Sequence, residues 1–225
     1  MAEPDRDAPL HGFVRELTAM GQSDDAHPVY QAWAPSYESD LIEGYGYCAH
    51  RIGALALCAH FEDNASRKRA RILDLGCGTG LVGQELAAAG FGHIEGFDAS
   101  ANMLAEAREK ALYQALIQGD LRDPEALPES AYDAAIAVGV FGGGHVGPES
   151  LACFIRPVRA GGTVVLFANG IPFIEDDYEQ HLRQLEADGW CKVQRITQVN
   201  YMDRINRPGF LVEAIRGSDA TGEQA

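Results

Sequence analysis

Basic residues are scarce in this sequence. It has 18 Lys and Arg against 33 Asp and Glu, a formal net charge of −15. Proteins that hold polyanions carry basic stripes that neutralise phosphates, so this balance counts against nucleic acid or an anionic membrane as the main partner. Paired cysteines are missing too. The five cysteines, at 48, 58, 77, 153 and 191, are odd in number and form no C-x-x-C pair. A disulfide framework or a thiolate zinc site is therefore not expected, and the pattern reads as the reduced thiols of a cytoplasmic protein with no metal site. No stretch approaches the ~20 apolar residues that span a bilayer. The opening Met1-Ala2-Glu3-Pro4-Asp5-Arg6-Asp7 is charged and lacks the apolar run of a secretion signal. Neither repeats nor low-complexity tracts occur. What remains is 225 residues, 46% apolar and 23% charged. That suits one large domain, or a domain with a cap, in a soluble globular enzyme with a substantial core.

The chain is organised around Ile72-Leu73-Asp74-Leu75-Gly76-Cys77-Gly78-Thr79-Gly80. A short apolar run between the basic Arg67-Lys68-Arg69 and Gly76 reads as a buried parallel strand. Gly76, Gly78 and Gly80 reach positive φ readily and let backbone N–H groups come close to a ligand. Leu81, Val82, Leu86 and Ala89 recur at helical spacing, so the turn feeds a helix whose N-terminus faces the same spot. A strand, a glycine turn and a helix make a nucleotide-type cofactor site. Gly78-Thr79-Gly80-Leu81-Val82-Gly83 also satisfies the G-x-G-x-x-G pattern of dinucleotide-binding folds, with Asp98 about 20 residues on. An NAD-dependent oxidoreductase is thus an alternative, although neither a Tyr-x-x-x-Lys pair nor a separate substrate domain accompanies it. Asp74 pulls the other way, because an acid before the glycines repels a pyrophosphate and attracts a cationic amino-acid group.

Asp74-Leu75-Gly76-Cys77-Gly78-Thr79-Gly80 resembles the first motif of the class I S-adenosylmethionine-dependent methyltransferases, an acid, any residue, then G-x-G-x-G. Asp98-Ala99-Ser100-Ala101-Asn102-Met103-Leu104 is similar to the family's D-x-S-x-x-M-L. Trp33-Ala34-Pro35-Ser36-Tyr37-Glu38 together with Gly44-Tyr45-Gly46-Tyr47 resembles the Williams–Beuren-region methyltransferase-like proteins and their bacterial relatives, from about Val29 through Gly162. The resemblance implies an α/β, Rossmann-like seven-stranded sheet in the order 3-2-1-4-5-7-6, the last strand antiparallel, with an N-terminal helical lid. The implied cofactor is S-adenosyl-L-methionine, leaving as S-adenosyl-L-homocysteine. The residues implied to hold it begin with Tyr30, Trp33 and Tyr37 of the lid and Asp74, Gly76, Cys77, Gly78, Thr79 and Gly80 of the first strand and turn. Asp98 is implied at the ribose, Ala99 and Met103 against the adenine, and Gly119, Asp120 and Leu121 at the adenine edge. Val138, at the end of the fourth strand, completes the set.

The remaining expectations follow the chain. Residues 1–9 are expected to fray, and Leu10, Phe13, Val14 and Leu17 make a short amphipathic face that Gly21 closes. Tyr30, Trp33 and Tyr37 share one helical side if Pro35 is tolerated, which by spacing alone is equally a core stripe. Residues 46–61 carry a helical pattern, and Glu62 to Ser66 reads as a polar linker. Strands are expected over His93–Asp98, Tyr113–Gln118 and Tyr132–Phe141, and Ser100 is expected to cap a helix. A fifth strand follows the turn at Arg159-Ala160-Gly161-Gly162. An acidic helix is expected over 175–188, and two last strands, Trp190–Tyr201 and Phe210–Ile215, around a turn at Asn206-Arg207-Pro208-Gly209. The three acids Asp74, Asp98 and Asp120 thus fall at three successive strand ends, in the crevice where open α/β sheets bind ligands.

His145, in the glycine-rich loop after the fourth strand, and Tyr37 are the catalytic candidates, with Tyr45 a further one. A neutral imidazole takes a proton from a hydroxyl, amine or thiol as methyl transfers, while a loop histidine bonded to backbone is the plainer alternative. The chain divides into a lid over 1–66, a cofactor-binding domain over 67–217 and a disordered tail over 218–225. The expected activity is methyl transfer to an O, N or S nucleophile of a small molecule. A protein that binds the cofactor without turnover and works through a partner is a third possibility. Monomer and homodimer both remain open.

Overall fold

The structure, a computed structural model, describes residues 10–20, 25–141 and 146–218. The expectations for the frayed start, Gly21, His145 and the C-terminal tail beyond residue 218 lie outside them. Seven strands form one sheet in the order β3-β2-β1-β4-β5-β7-β6. They are β1 (Arg71–Leu75), β2 (His93–Asp98), β3 (Ala115–Gln118), β4 (Tyr132–Val138), β5 (Val158–Asn169), β6 (Cys191–Asn200) and β7 (Pro208–Arg216). β1 to β5 run parallel, and β7 pairs antiparallel with both β5 and β6. The order and the antiparallel hairpin are those expected of the class I methyltransferase fold.

The helices in chain order are α1 (Gly12–Thr18), α2 (His27–Trp33), α3 (Ala49–Ala59), α4 (Asn64–Arg69), α5 (Leu81–Ala88), α6 (Ala101–Glu109), α7 (Leu151–Ile155), α8 (Gly170–Glu175) and α9 (Tyr178–Ala187). Alternation along β1 sorts the core into two layers. Ile72 points to one face, covered by α3, α5 and the N-terminal segment, in a cluster with Trp33, Leu57, Leu86 and Ile136. Leu73 and Leu75 point to the other, packed with Phe97, Phe154, Leu166 and Tyr178. Each such buried leucine contributes about 1.5–3 kcal/mol through the apolar area it removes from water. Asp74 shares the face of Ile72, the same side that the N-terminal segment covers.

That segment is held on the sheet by its aromatic residues. Pro35 is accommodated by a tight 3₁₀ turn over Ala34–Ser36, after which Ser39–Tyr45 winds more loosely as a π-helix. Trp33 is 2% exposed, and its indole N–H donates to Asp40 Oδ2 at 2.8 Å. Tyr37 meets it edge-on with centroids 4.6 Å apart, and Phe13 stacks on it at 5.6 Å. Across the seam Cys48 N–H donates to Tyr201 O at 2.9 Å, which ties the segment to the end of β6.

Several boundaries differ from expectation, each for a local reason. The linker over 62–66 is partly α4, because Asp63 Oδ1 accepts from Ser66 N at 2.7 Å while Ser66 Oγ accepts from Asp63 N, a reciprocal cap. The acidic helix starts at Tyr178, not 175, since Asp177 takes a left-handed φ of 52° that separates α8 from α9. The last hairpin turns over 201–207, with Pro208 and Gly209 already inside β7 opposite Asn200 and Val199. β3 begins at Ala115, which leaves Tyr113 in the preceding loop with its ring turned under the glycine turn.

Candidate functional site

The carboxyl ends of β1, β2 and β4 open into a cleft lined by residues of α2, the glycine turn and the loops after β2, β3 and β4. Gly76 and Cys77 leave β1 with both N–H groups donating to Phe97 O, at 2.7 and 3.1 Å, so the turn is stitched to β2. Gly78 has φ +53° and a Cβ there would meet no atom within 4 Å. It lines the cavity, so the open space is where a ligand would lie. Gly76 is the opposite case. A Cβ on it would fall 1.9 Å from Val140 Cγ1.

Asp98, last residue of β2, receives Gly78 N–H on Oδ2 and Ser100 N–H on Oδ1, each at 2.8 Å. A carboxylate offers about four lone-pair sites, so two remain for a vicinal diol. Desolvation nonetheless pushes its pKa up, against the pull of those backbone donors. Ser100 caps α6 through Met103 N–H at 3.2 Å, which sets Ala99 and Met103 at the cavity wall.

Of the residues expected at the cofactor, Tyr30, Tyr37, Gly76, Gly78, Asp98, Ala99, Met103, Asp120, Leu121 and Val138 line this cavity. Trp33, Asp74, Cys77, Thr79, Gly80 and Gly119 stand behind its wall. Trp33 is packed into the core against Phe13 and Tyr37, with its N–H at the surface on Asp40. Asp74 lies one residue before the end of β1, opposite Gly96, and is 1% exposed. Its Oδ2 accepts from Tyr113 Oη at 2.7 Å, while Oδ1 is buried without a partner, as is Thr79 Oγ1. Burial pushes the Cys77 thiol pKa up. Gly80 starts α5, and a Cβ on Gly119 would strike the Phe97 ring at 2.5 Å. Tyr45 also misses the cavity, since its hydroxyl accepts from His11 N–H at 2.7 Å within the cap.

The rim carries charge. Asp120, two residues beyond β3, is held by a bidentate fork from Arg122, with Nε to Oδ1 at 2.9 Å and Nη2 to Oδ2 at 2.8 Å. That fork holds its carboxyl below the ordinary range. At the other side of the mouth lies His27, a cavity residue that sequence reasoning left without a role. Gln31 Oε1 accepts from Asn102 N at 3.2 Å, so the Gln31 amide nitrogen faces His27 Nε2, 3.0 Å away. Gln31 and His27 thus share a side-chain hydrogen bond at the cavity rim. Together with Asn102 Nδ2 donating to Gln31 O at 2.8 Å, the same contacts clamp α2 onto α6. The signal was His27-Pro28 at a helix start, but nothing in the sequence brings it to Asp98. Tyr37, the other catalytic candidate, has its phenol pKa raised by burial first and by Asp98 second, so it stays a neutral hydroxyl at ordinary pH.

Comparison with known proteins adds four findings. A family model described as a methyltransferase domain matches residues 72–162. Methyltransferase-like protein 27 of Homo sapiens is 36% identical over 139 residues, 61% of this chain and 55% of that protein. A dTDP-3-amino-3,6-dideoxy-alpha-D-glucopyranose N,N-dimethyltransferase of Streptomyces fradiae is 47% identical over 85 residues, 37% of this chain and 32% of that protein. The chain thus spans about half, or less, of the length of these curated relatives. Among solved structures, magnesium protoporphyrin IX methyltransferase from Synechocystis PCC 6803 with bound SAH shares the fold. Its TM-score is 0.57 at 19% identity, over 75% of this chain and 84% of that one.

Proposed function

We propose that this chain, which carries a class I S-adenosylmethionine-dependent methyltransferase domain, transfers a methyl group to a small-molecule acceptor. The observation that carries the reading is Asp98 at the mouth of the glycine turn, with two lone-pair sites left toward the cavity. The residues present fit the cofactor in three further respects. Gly78 leaves a space that any Cβ would fill. Asp74 Oδ1 and Thr79 Oγ1 are polar atoms buried beneath the turn without partners, an unfavourable state in an empty protein. Ala99, Met103 and Leu121 supply an apolar slot beside the charged Asp120.

When bound, S-adenosylmethionine supplies a sulfonium methyl carbon open to displacement by a nucleophile approaching opposite the sulfur. Asp98 takes the ribose hydroxyls, and the Gly76–Gly78 turn carries the amino-acid end. Tyr30 and Tyr37 cover the site as neutral phenols, excluding water while leaving hydroxyls that orient an acceptor. Val138, Val140 and Val146 form an apolar wall against which an acceptor is aligned. Catalysis on these terms is alignment and desolvation, with no phenolate at Tyr37 to act as a strong base.

The acceptor class is supported by the net charge of −15, which disfavours a polyanion. The Streptomyces fradiae relative, named for N,N-dimethylation of a dTDP-linked amino sugar, points the same way. The test is incubation with methyl-labelled S-adenosylmethionine and separate pools of small amines, phenols, thiols and carboxylic acids, beside RNA and protein pools. S-adenosylhomocysteine formed with a small-molecule pool is the expected result. Transfer to RNA or protein alone would overturn the acceptor class.

A further inference from the structure

We propose that Tyr113 is a positioning residue for the amino-acid end of the cofactor, acting through Asp74 and through the glycine turn that its ring supports. The inference rests on the cofactor reading above and adds a residue outside every motif that led to it.

The geometry is a wedge. Tyr113 leaves the loop before β3 and pushes its ring beneath the turn. A Cβ on Gly83 would fall 2.3 Å from its hydroxyl oxygen, one on Gly96 3.1 Å from its ring, and one on Gly80 3.2 Å. Gly83, in the first helical turn of α5, is therefore small because this ring occupies the space, while Gly96 in β2 also faces Leu116 and Cys77 at 2.8 and 2.9 Å and Gly80 takes a φ of +93°. Gly83 completes G-x-G-x-x-G for a reason unrelated to pyrophosphate. The hydroxyl at the tip donates to Asp74 Oδ2 at 2.7 Å, which fixes the carboxylate plane and leaves Oδ1 buried and without a partner. A carboxylate anchored at one oxygen and left without a partner at the other, buried just behind the cavity wall, attracts a cation held at the turn.

The surroundings of Asp74 set its charge. Burial is the main influence and pushes its pKa up to about 7, the Asp98 charge acts in the same direction, and the Tyr113 hydrogen bond opposes both. The Cys77 thiol also feels Asp74, and its own pKa is driven up. The sign follows. Below pH 7 Asp74 is increasingly neutral, above it charged, and a ligand ammonium favours the charged form. A free α-amino group stays protonated up to about 7.7. Affinity for a ligand bearing that group therefore rises with pH through neutrality. Tyr113→Phe keeps the ring in its glycine slot but removes the donor, so ionisation of Asp74 moves to higher pH and less of it is charged at pH 7.

The experiment is calorimetric titration of the full chain and of Tyr113→Phe and Asp74→Asn with three probes, between about pH 5.5 and 7.5. S-adenosylmethionine and S-adenosylhomocysteine carry the amino-acid end, and 5′-methylthioadenosine lacks it. Losing a hydrogen bond to a charged group predicts that Tyr113→Phe weakens the first two about tenfold at pH 7. It should leave methylthioadenosine within about twofold and move the rise in affinity to higher pH. Asp74→Asn should flatten the pH profile. Equal losses for all three probes, or none for any, would overturn the role of Tyr113 while leaving the cofactor intact. Failure of the unaltered protein to bind any probe would overturn the cofactor reading and this inference with it.

Discussion

Asp98→Ala should weaken S-adenosylmethionine binding by about a hundredfold or more, read by calorimetry. Two effects combine. The variant removes the acceptor for both hydroxyls of the ribose diol, hydrogen bonds to a charged group contributing about 1.5–3 kcal/mol each, which together is roughly two decades or more in affinity. It also strands Gly78 N–H and Ser100 N–H, which both end on this carboxylate. The glycine turn and the start of α6 would lose their common anchor. Asp98→Asn, which keeps one carbonyl oxygen for the backbone donors, should lose less affinity and keep more of the folded stability.

Gly76→Ala should be the more damaging change to the fold. The residue sits at φ +70°, and the added Cβ would lie 1.9 Å from Val140 Cγ1. Left-handed strain of about 1–2 kcal/mol for a non-glycine residue adds to overpacking of about 1–3 kcal/mol. A loss of about 2–5 kcal/mol is expected, measured by thermal unfolding, together with loss of cofactor affinity because Val140 must shift. Gly78→Ala separates the two effects. Its φ is +53°, but nothing lies within 4 Å of the added methyl. It should therefore cost only the backbone strain in stability while still obstructing the cofactor. Equal stability losses in the two variants would contradict the packing argument.

The sheet was legible because its signals are local. Apolar runs such as Ile72–Leu75 and Tyr132–Phe141 read as strands, and each became a parallel strand with the expected neighbour, the second ending early at Val138, before Gly139. Ser100 reads as a cap and acts as one. Side-chain direction was less legible. Spacing put Tyr30, Trp33 and Tyr37 on one side of a helix, yet Pro35 changes the winding between them. The indole ring packs into the core, with its N–H on the exposed Asp40, while the two phenols reach the cavity. Asp74 and Asp98 look equivalent as acids near strand ends. One residue of register decides that Asp98 ends its strand at the cavity and Asp74 sits inside β1 beneath Tyr113. His27 and Tyr113 escaped notice because their neighbours lie far off in the chain: His27 shares the cavity wall with Asp98, 71 positions on, and Tyr113 bonds to Asp74, 39 positions back. No local pattern carries such pairings.

The most direct test of the cofactor assignment is calorimetric titration of the unaltered protein with S-adenosylmethionine, S-adenosylhomocysteine and NAD in parallel. Both adenosyl ligands carry the diol and the amino-acid end that Asp98 and the glycine turn are built to receive, so both should bind with micromolar affinity and NAD should give no heat. Binding of NAD without either adenosyl ligand would contradict the assignment and reduce the glycine turn to a shared nucleotide-binding feature.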